Sequence, residues 1–440
     1  MDLRRKLARW VEANPASNVP DVPDVPDAHD DPRTASQQER IAHLRSLVGE
    51  VVAKDARRER APRRPPQAPA DVEAHDTPHG PLHIIARQFE PDHAHGRVAV
   101  RDALAVDPDV LALLALDRDG ARFDPTRMLI LDTETTGLSG GTGTVAFLVG
   151  LAWFEDGCLR TEQLFLRDLD REPPLLHRVA ERIAAASVVV TYNGKSFDWP
   201  LLRTRFIMHR IAAPALPPHL DLLHCARRLL RGRLDGLRLT EVERGLLGHY
   251  REDDVDGSEI PGMYLRYLRG AAPETLARVF AHNADDLVAL PAVLAALGAR
   301  LGSVRAQDDP RDWLASARLS QRAGDAGRAL MFARAVIDGA GDADARCAAH
   351  ALVAAIEQCA ERPAQALRAW QGALDAASDA NAASAVHLAL AKLYEHAFGD
   401  LDHAQHHARQ THLAEGTPAH ERRVGRLQRR LDRRREAQRA

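Results

Sequence analysis

Leu129-Ile130-Leu131-Asp132-Thr133-Glu134-Thr135-Thr136-Gly137 is the stretch on which the reading of this 440-residue chain turns. With Met128 it opens as an apolar run of the kind a buried strand shows. Asp132 and Glu134 stand two apart at its end, so both carboxylates point to one face. Two like charges so close repel, and no packing role calls for them. A divalent cation removes the repulsion, and hard Mg²⁺ or Mn²⁺ takes oxygen ligands while leaving open, hydrated positions. A solvated strand end carries the same pattern, so the surrounding sequence must decide.

Outward from that stretch the chain alternates strands and helices. Thr144 to Phe154 and Cys158 to Leu166 read as two further strands, joined by the turn signal Asp156-Gly157. Pro173 to Ala186 has helical spacing, with Leu176, Val179 and Ile183 on one face. Ser187 to Tyr192 is β-branched and reads as a strand, Phe197 to Arg210 as a helix, His219 to Leu222 as a short strand, and helices fill the rest to Arg300. Three hairpin-like strands followed by alternating helices and strands predict an α/β sheet of mixed direction, flanked by helices.

Two further elements bear acidic groups. In Thr191-Tyr192-Asn193-Gly194-Lys195-Ser196-Phe197-Asp198 a strand ends at Asn-Gly and Asp198 opens the next helix, where a carboxylate also complements the helix dipole. In His282-Asn283-Ala284-Asp285-Asp286, His282 and Asp286 are four apart and share a helix face. Asp285 is one residue too early in helical phase and ranks behind Asp286.

Together the three elements, in this order, resemble the DEDD superfamily of 3′–5′ exonucleases, which share the ribonuclease H-like fold. The sub-pattern is similar to the bacterial YprB-like ribonuclease H-like domain. It includes Gly140-Gly141-Thr142-Gly143-Thr144, His219-Leu220-Asp221-Leu222-Leu223, and Ile260-Pro261 with Tyr264 and Tyr267. The resemblance implies that Asp132, Glu134, Asp198 and Asp286 are metal ligands for two Mg²⁺ or Mn²⁺ ions, that His282 orients or deprotonates the attacking water, and that phosphodiester hydrolysis follows a two-metal course. One departure bears on His282. Three residues separate it from Asp286, the spacing of the tyrosine-type branch, so it stands where a tyrosine is expected. Beside these, Thr135, Asn193 and Lys195 are expected to contact substrate. Lys195 is the only lysine in this part of the chain, and a solvated turn explains it equally well. The glycine loop lacks the GK[ST] ending of a P-loop, which argues against a nucleoside-triphosphate site.

Weaker features have bland readings. Asp221 is expected to cap the helix after it. The acidic loop Glu252, Asp253, Asp254 and Asp256 is expected to be solvated. Arg227, Arg228, Arg231, Arg233 and Arg238 would suit a nucleic-acid groove. Among Tyr192, Phe197 and Trp199, packing is expected for at least two. His403, His406, His407 and His412 read as a helical surface.

After Asp308 the chain is Ala-rich and helical. Ala329, Ala366 and Ala404 recur in matching contexts 37 and 38 residues apart, with Leu314, Leu352 and Leu388 marking partner helices. This resembles degenerate tetratricopeptide repeats, whose ideal period is about 34. Residues 421–440 carry nine arginines against three acids. Val424, Leu427 and Leu431 fall at helical spacing there. The expected organisation is an N-terminal helix and largely disordered Pro/Asp-rich linker over 1–80, with order resuming near Leu82. A lead-in segment follows over 81–126, then the ribonuclease H-like domain over 127–300. The repeats occupy 308–415 and a basic helix 416–440.

Lys+Arg is 59 and Asp+Glu is 62, a formal net charge of −3, which excludes a polycation that binds nucleic acid through bulk charge. The four cysteines form no CxxC pair, so neither a zinc ribbon nor a disulfide framework is indicated. No apolar run reaches the ~20 residues of a membrane span, and the N-terminus lacks a signal-peptide core. A cytoplasmic protein with no membrane contact is expected. The resulting expectation is a metal-dependent nuclease acting on DNA or RNA, with a possible protein partner on the repeats. A structure-specific endonuclease and a non-catalytic nucleic-acid-binding scaffold are the alternatives.

Overall fold

Met128–Thr135 forms a strand whose first four residues are fully buried and whose last four open toward solvent. In the computed structural model, which describes residues 46, 68–116, 123–137, 143–305, 308–339 and 341–439, this strand is the pivot of a mixed sheet. The strands are β1 (Glu73–Thr77), β2 (Gly80–Phe89), β5 (Met128–Thr135), β6 (Ala146–Glu155), β7 (Cys158–Phe165), β8 (Val188–Thr191) and β9 (His219–Asp221). Strands β3 (Ala94–His95) and β4 (Val98–Ala99) pair separately. The sheet order is β1-β2-β7-β6-β5-β8-β9 among the described residues. β5, β6 and β7 run antiparallel in succession, while β8 and β9 continue parallel to β5. This is the mixed sheet with flanking helices expected of a ribonuclease H-like fold.

The sheet starts earlier than expected. Order does not wait for Leu82: β1 and β2 make a hairpin through Thr77 and Gly80 that extends the β7 edge. Gly80 has φ +113° there, which side chains disfavour. β1, Glu-Ala-His-Asp-Thr, is mostly exposed, so it carries no apolar alternation that sequence reading could find. The expected N-terminal helix, nearly all of the linker and Gly140-Gly141-Thr142 lie outside the described residues.

The helices around the sheet are α1 (Pro108–Ala115), α2 (Glu172–Ala185), α3 (Asp198–His209), α4 (Leu222–Leu229), α5 (Leu239–Val242), α6 (Ile260–Leu268) and α7 (Ala277–Gly302). α5 runs into a π-turn, Glu243–Leu247. The core joins Leu129 and Leu131 of β5, Phe147 and Val149 of β6, Phe165 of β7, Leu176 and Val179 of α2, and Tyr264, Tyr267 and Phe280 from the last two helices. The Tyr264 hydroxyl donates to the Leu166 carbonyl at 2.7 Å, so a large buried ring costs no orphaned polar group.

Beyond these lie α8 (Pro310–Ala323), α9 (Ala326–Asp338), α10 (Ala343–Cys359), α11 (Pro363–Asp375), α12 (Ala380–Leu393), α13 (Leu401–Ala408), α14 (His412–Glu415) and α15 (Thr417–Arg439). α8 packs on α9, α10 on α11, and α12 on α13. Ala329, Ala366 and Ala404 are fully buried in α9, α11 and α13, where a small side chain lets two helices approach closely. Leu427 and Leu431 of α15 pack with Ala391, Leu401, Ala404 and Ala408. The described residues of Met1–Leu111, Ala121–Ala226 and Leu234–Ala296 form one compact unit, and those of Ala112–Gly120, Arg227–Arg233 and Leu297–Ala440 a second. Within the second unit Arg228 donates to the Leu114 carbonyl and Arg233 pairs with Asp312, so two of the five arginines considered for a groove serve packing instead. No helix among the described residues is long and apolar enough to cross a membrane.

Candidate active site

β5 runs through Thr135, so Asp132 and Glu134 lie within the ladder. Asp132 is opposite Gly150 and Glu134 opposite Leu148 on β6, with a register shift just after Glu134. Such an irregularity ends regular pairing and turns the strand where a site is needed. Asp198 is the first residue of α3, and His282, Asn283 and Asp286 lie on α7.

These segments converge. His282 Nε2 is 3.8 Å from Glu134 Oε1 and 3.8 Å from Asp286 Oδ2. Asn283 Nδ2 donates to Asp132 Oδ2 at 2.8 Å. The Thr133 hydroxyl donates to Asp198 Oδ1. Burial, and then the charges of Asp286 and Asp198, push Asp132 well above the usual carboxylate range. Glu134 moves the same way through burial and then Asp132 and Asp286. Burial raises Asp198 to about 6, against the lowering effect of the Thr133 hydrogen bond. A cluster of carboxylates that resist ionisation together is what an oxygen-loving divalent cation would stabilise.

Supporting residues surround the acids. Gly150 is opposite both Asp132 on β5 and Gln163 on β7. A Cβ at Gly150 would stand 2.5 Å from Asn283 Oδ1, so the glycine makes room for the Asn283 amide above the sheet. Gln163 Nε2 donates to Asn283 Oδ1 at 2.9 Å and to the Phe280 carbonyl at 2.8 Å, which pins α7 to β7. Asn283 is thereby oriented to present its amide hydrogens to Asp132. Arg251 Nη2 lies 2.5 Å from Asp286 Oδ1 and 2.9 Å from Glu243 Oε2. This buried guanidinium is a counter-charge to Asp286 and Glu243.

The acidic loop is not merely solvated. Asp254 Oδ1 stands 2.6 Å from His282 Nδ1, so the imidazole has one nitrogen held and the other turned to the carboxylates. Asp285 is half-buried and off this face. Asp221 Oδ1 accepts from the backbone N–H of Leu223 at 3.1 Å, the capping expected of it, and also from that of Asn193 at 2.8 Å. Its Oδ2 accepts from the Lys195 N–H at 3.0 Å. It therefore fixes the turn before Asp198, in which Asn193 adopts φ +66°. The Lys195 side chain is exposed on that turn. The Thr135 hydroxyl donates instead to the Gly137 carbonyl at 2.8 Å. Trp199 packs on the core and the Tyr192 hydroxyl donates to the Leu237 carbonyl, whereas Phe197 is 55% exposed.

Residues 129–298 match the family model described as RNase_H superfamily. They form a ribonuclease H-like domain. Over 170 residues, 38% of this chain, the sequence is 36% identical to the uncharacterized protein YprB of Bacillus subtilis (strain 168). The matched stretch spans 41% of that relative's length. Asp132, Glu134, Asp198, His282 and Asp286 all fall inside the matched region.

Sequence reading assigned no role to Asn283, Arg251, Gln163 or Gly150, and took Asp254 for a solvated loop acid. Asn283 stands inside the quoted His-Asn-x-x-Asp segment, but only the cross-strand row Gln163–Gly150–Asp132 gives it a role. Arg251 and Asp254 sit in a charged loop with no periodicity to mark them.

Proposed function

We propose that this ribonuclease H-like domain is a metal-dependent nuclease of the DEDD type, a 3′–5′ exonuclease using two Mg²⁺ or Mn²⁺ ions. The observation that carries the reading is the convergence of Asp132, Glu134, Asp198 and Asp286, from three separate segments, on one site where burial and mutual repulsion raise the pKa values of the first three. The donor set fits, because all four are hard oxygen ligands, they repel one another, and the Arg251 guanidinium that pairs with Asp286 lowers Asp132 by less than burial and its acidic neighbours raise it. When bound, the ions would supply Lewis-acid charge at the scissile phosphate. The chain's own residues do the rest. Asn283 and Thr133 orient the Asp132 and Asp198 carboxylates. Asp254 holds Nδ1 of His282, leaving Nε2 to take the proton of the attacking water. Arg251 keeps Asp286 turned inward. Exposed Phe197 and Lys195, with Asn193 beside them, form the rim that would meet a single strand by stacking and phosphate contact.

The helical array is proposed to be tetratricopeptide-like, over 308–415, and to carry a protein partner. The burial of the recurring alanines supports this. A cytoplasmic setting fits four cysteines none of which is in a disulfide. Exonucleolytic polarity is tested by comparing a linear single strand labelled at its 5′ end, the same strand blocked at its 3′ end, and a circle. The reading predicts progressive shortening of the first and protection of the other two. Cleavage of the circle would assign an endonuclease instead.

A further inference from the structure

A second cluster, richer in nitrogen donors, lies apart from the four carboxylates. His95 ends β3, Glu243 begins the π-turn after α5, and His249 follows that turn. One ligand atom from each falls within 4.8 Å of the other two. His95 and Glu243 are buried, with His95 Nε2 2.6 Å from Glu243 Oε1, and His249 is half-buried. The two imidazole rings lie 3.8 Å apart, inclined by 33°.

The backbone is shaped to bring these residues together. Gly96 has φ +62°, and a Cβ there would stand 2.3 Å from the Leu247 carbonyl oxygen. Gly248 has φ +66°, just before His249. Arg97 clamps the two segments: its backbone N–H donates to the Leu247 carbonyl at 3.0 Å and its guanidinium to the Leu246 carbonyl at 3.0 Å. Two left-handed glycines and a clamping arginine thus hold residues about 150 positions apart in register.

We propose that His95, His249 and Glu243 bind one divalent cation of the Zn²⁺ class, at a site distinct from the four carboxylates. Two imidazoles and one carboxylate are a donor set that suits zinc and its neighbours, with a fourth position left to water. The cation would lie where His95 Nε2 and Glu243 Oε1 make their hydrogen bond, the neutral imidazole then carrying its hydrogen on Nδ1. Burial, and then His95, hold His249 below the ordinary imidazole range, so it presents a neutral lone pair. Glu243 already has the outer partner such a ligand needs, because its other oxygen lies 2.9 Å from Arg251. Arg251 in turn reaches Asp286, so this site is one residue removed from the carboxylate cluster.

The test uses the full chain, stripped with EDTA and titrated with Co²⁺, whose visible absorption reports low-coordinate nitrogen ligation, followed by Zn²⁺ competition. Wild type and Asp132→Asn are each expected to show a Zn²⁺-displaceable Co²⁺ band, whereas His249→Gln weakens it at least about tenfold. Circular dichroism checks that His249→Gln remains folded. Anomalous scattering from Zn²⁺-loaded wild-type crystals, which needs no variant, is expected to place an ion among the three residues. An undiminished band in folded His249→Gln, or an anomalous peak elsewhere only, overturns the proposal. Because Asp132→Asn keeps this site, failure of the nuclease reading and failure of this one are told apart.

Discussion

Asp198→Asn in metal-free protein tests whether the acidic cluster is strained. Asp198 is only 7% exposed, and burial raises its pKa from 3.8 to about 6. The folded state therefore binds this proton more tightly than the unfolded chain does. Below pH 3.8 both states are protonated and the carboxylate costs nothing; as pH rises past 6 both are ionised and the full penalty is present. Linkage puts that penalty at about 2 kcal/mol at pH 5.0 and about 3 kcal/mol at pH 7.5. Asparagine cannot ionise, so it escapes the penalty, while the hydrogen bond from Thr133 weakens by about 1 kcal/mol at either pH. The stability of the variant relative to wild type should rise by about 1 kcal/mol between pH 5.0 and 7.5, a difference in which the hydrogen-bond loss cancels. Urea unfolding in EDTA at the two pH values measures it. Adding Mn²⁺ at pH 7.5 should reverse the order, since wild type gains binding energy that the variant has largely lost. A pH-independent gap in EDTA, or equal Mn²⁺ stabilisation of both proteins, would refute the reasoning.

Three more perturbations separate the roles assigned to other residues. His282→Gln should lower kcat by about 10²-fold or more with little change in KM, and Asp254→Asn should lower it less, since it only frees the ring; steady-state rates across pH would show this. Gly150→Ala drives a methyl into the Asn283 amide and should destabilise the domain by about 1–3 kcal/mol, read by thermal unfolding, whereas Gly232→Ala, where a Cβ meets nothing within 4 Å, tests backbone strain alone at φ +83°. Lys195→Ala should raise KM and reduce the salt dependence of binding by about one phosphate contact, leaving kcat near wild type, as fluorescence anisotropy at several salt concentrations would report.

Much of the fold was legible because its strands are strongly patterned. Met128–Leu131, Val188–Thr191 and the hairpin at Asp156-Gly157 lie where apolar runs and turn chemistry put them. β1 was missed because an edge strand needs no buried face, and the polar run Glu73–Thr77 offers no period, whereas the buried Leu82–Ile85 of β2 lie where order was expected to resume. Asp132 and Glu134 stood out as like charges at the end of a buried strand, but a solvated strand end reads the same way, so the four carboxylates were picked out together only by the resemblance of three acidic elements in order. Asn283 and Arg251 did not stand out, since their roles depend on what faces them: an empty Cβ position at Gly150 and two acids from distant elements. Asp254 looked like any loop acid until the fold set it beside His282. The second unit shows the same limit. Small-residue recurrence revealed the helical array, but nothing in composition marks 112–116 and 227–233 as belonging with it.

The central claim is that the Asp132 cluster cleaves phosphodiesters with bound metal. A time course on end-labelled single-stranded DNA and RNA, with Mn²⁺, Mg²⁺ or EDTA, run on wild type beside Asp132→Asn, tests it most directly. Metal-dependent cleavage by wild type that falls at least about 10²–10³-fold in the variant is the predicted result. Equal cleavage by both proteins, or none by wild type in either metal, would contradict it.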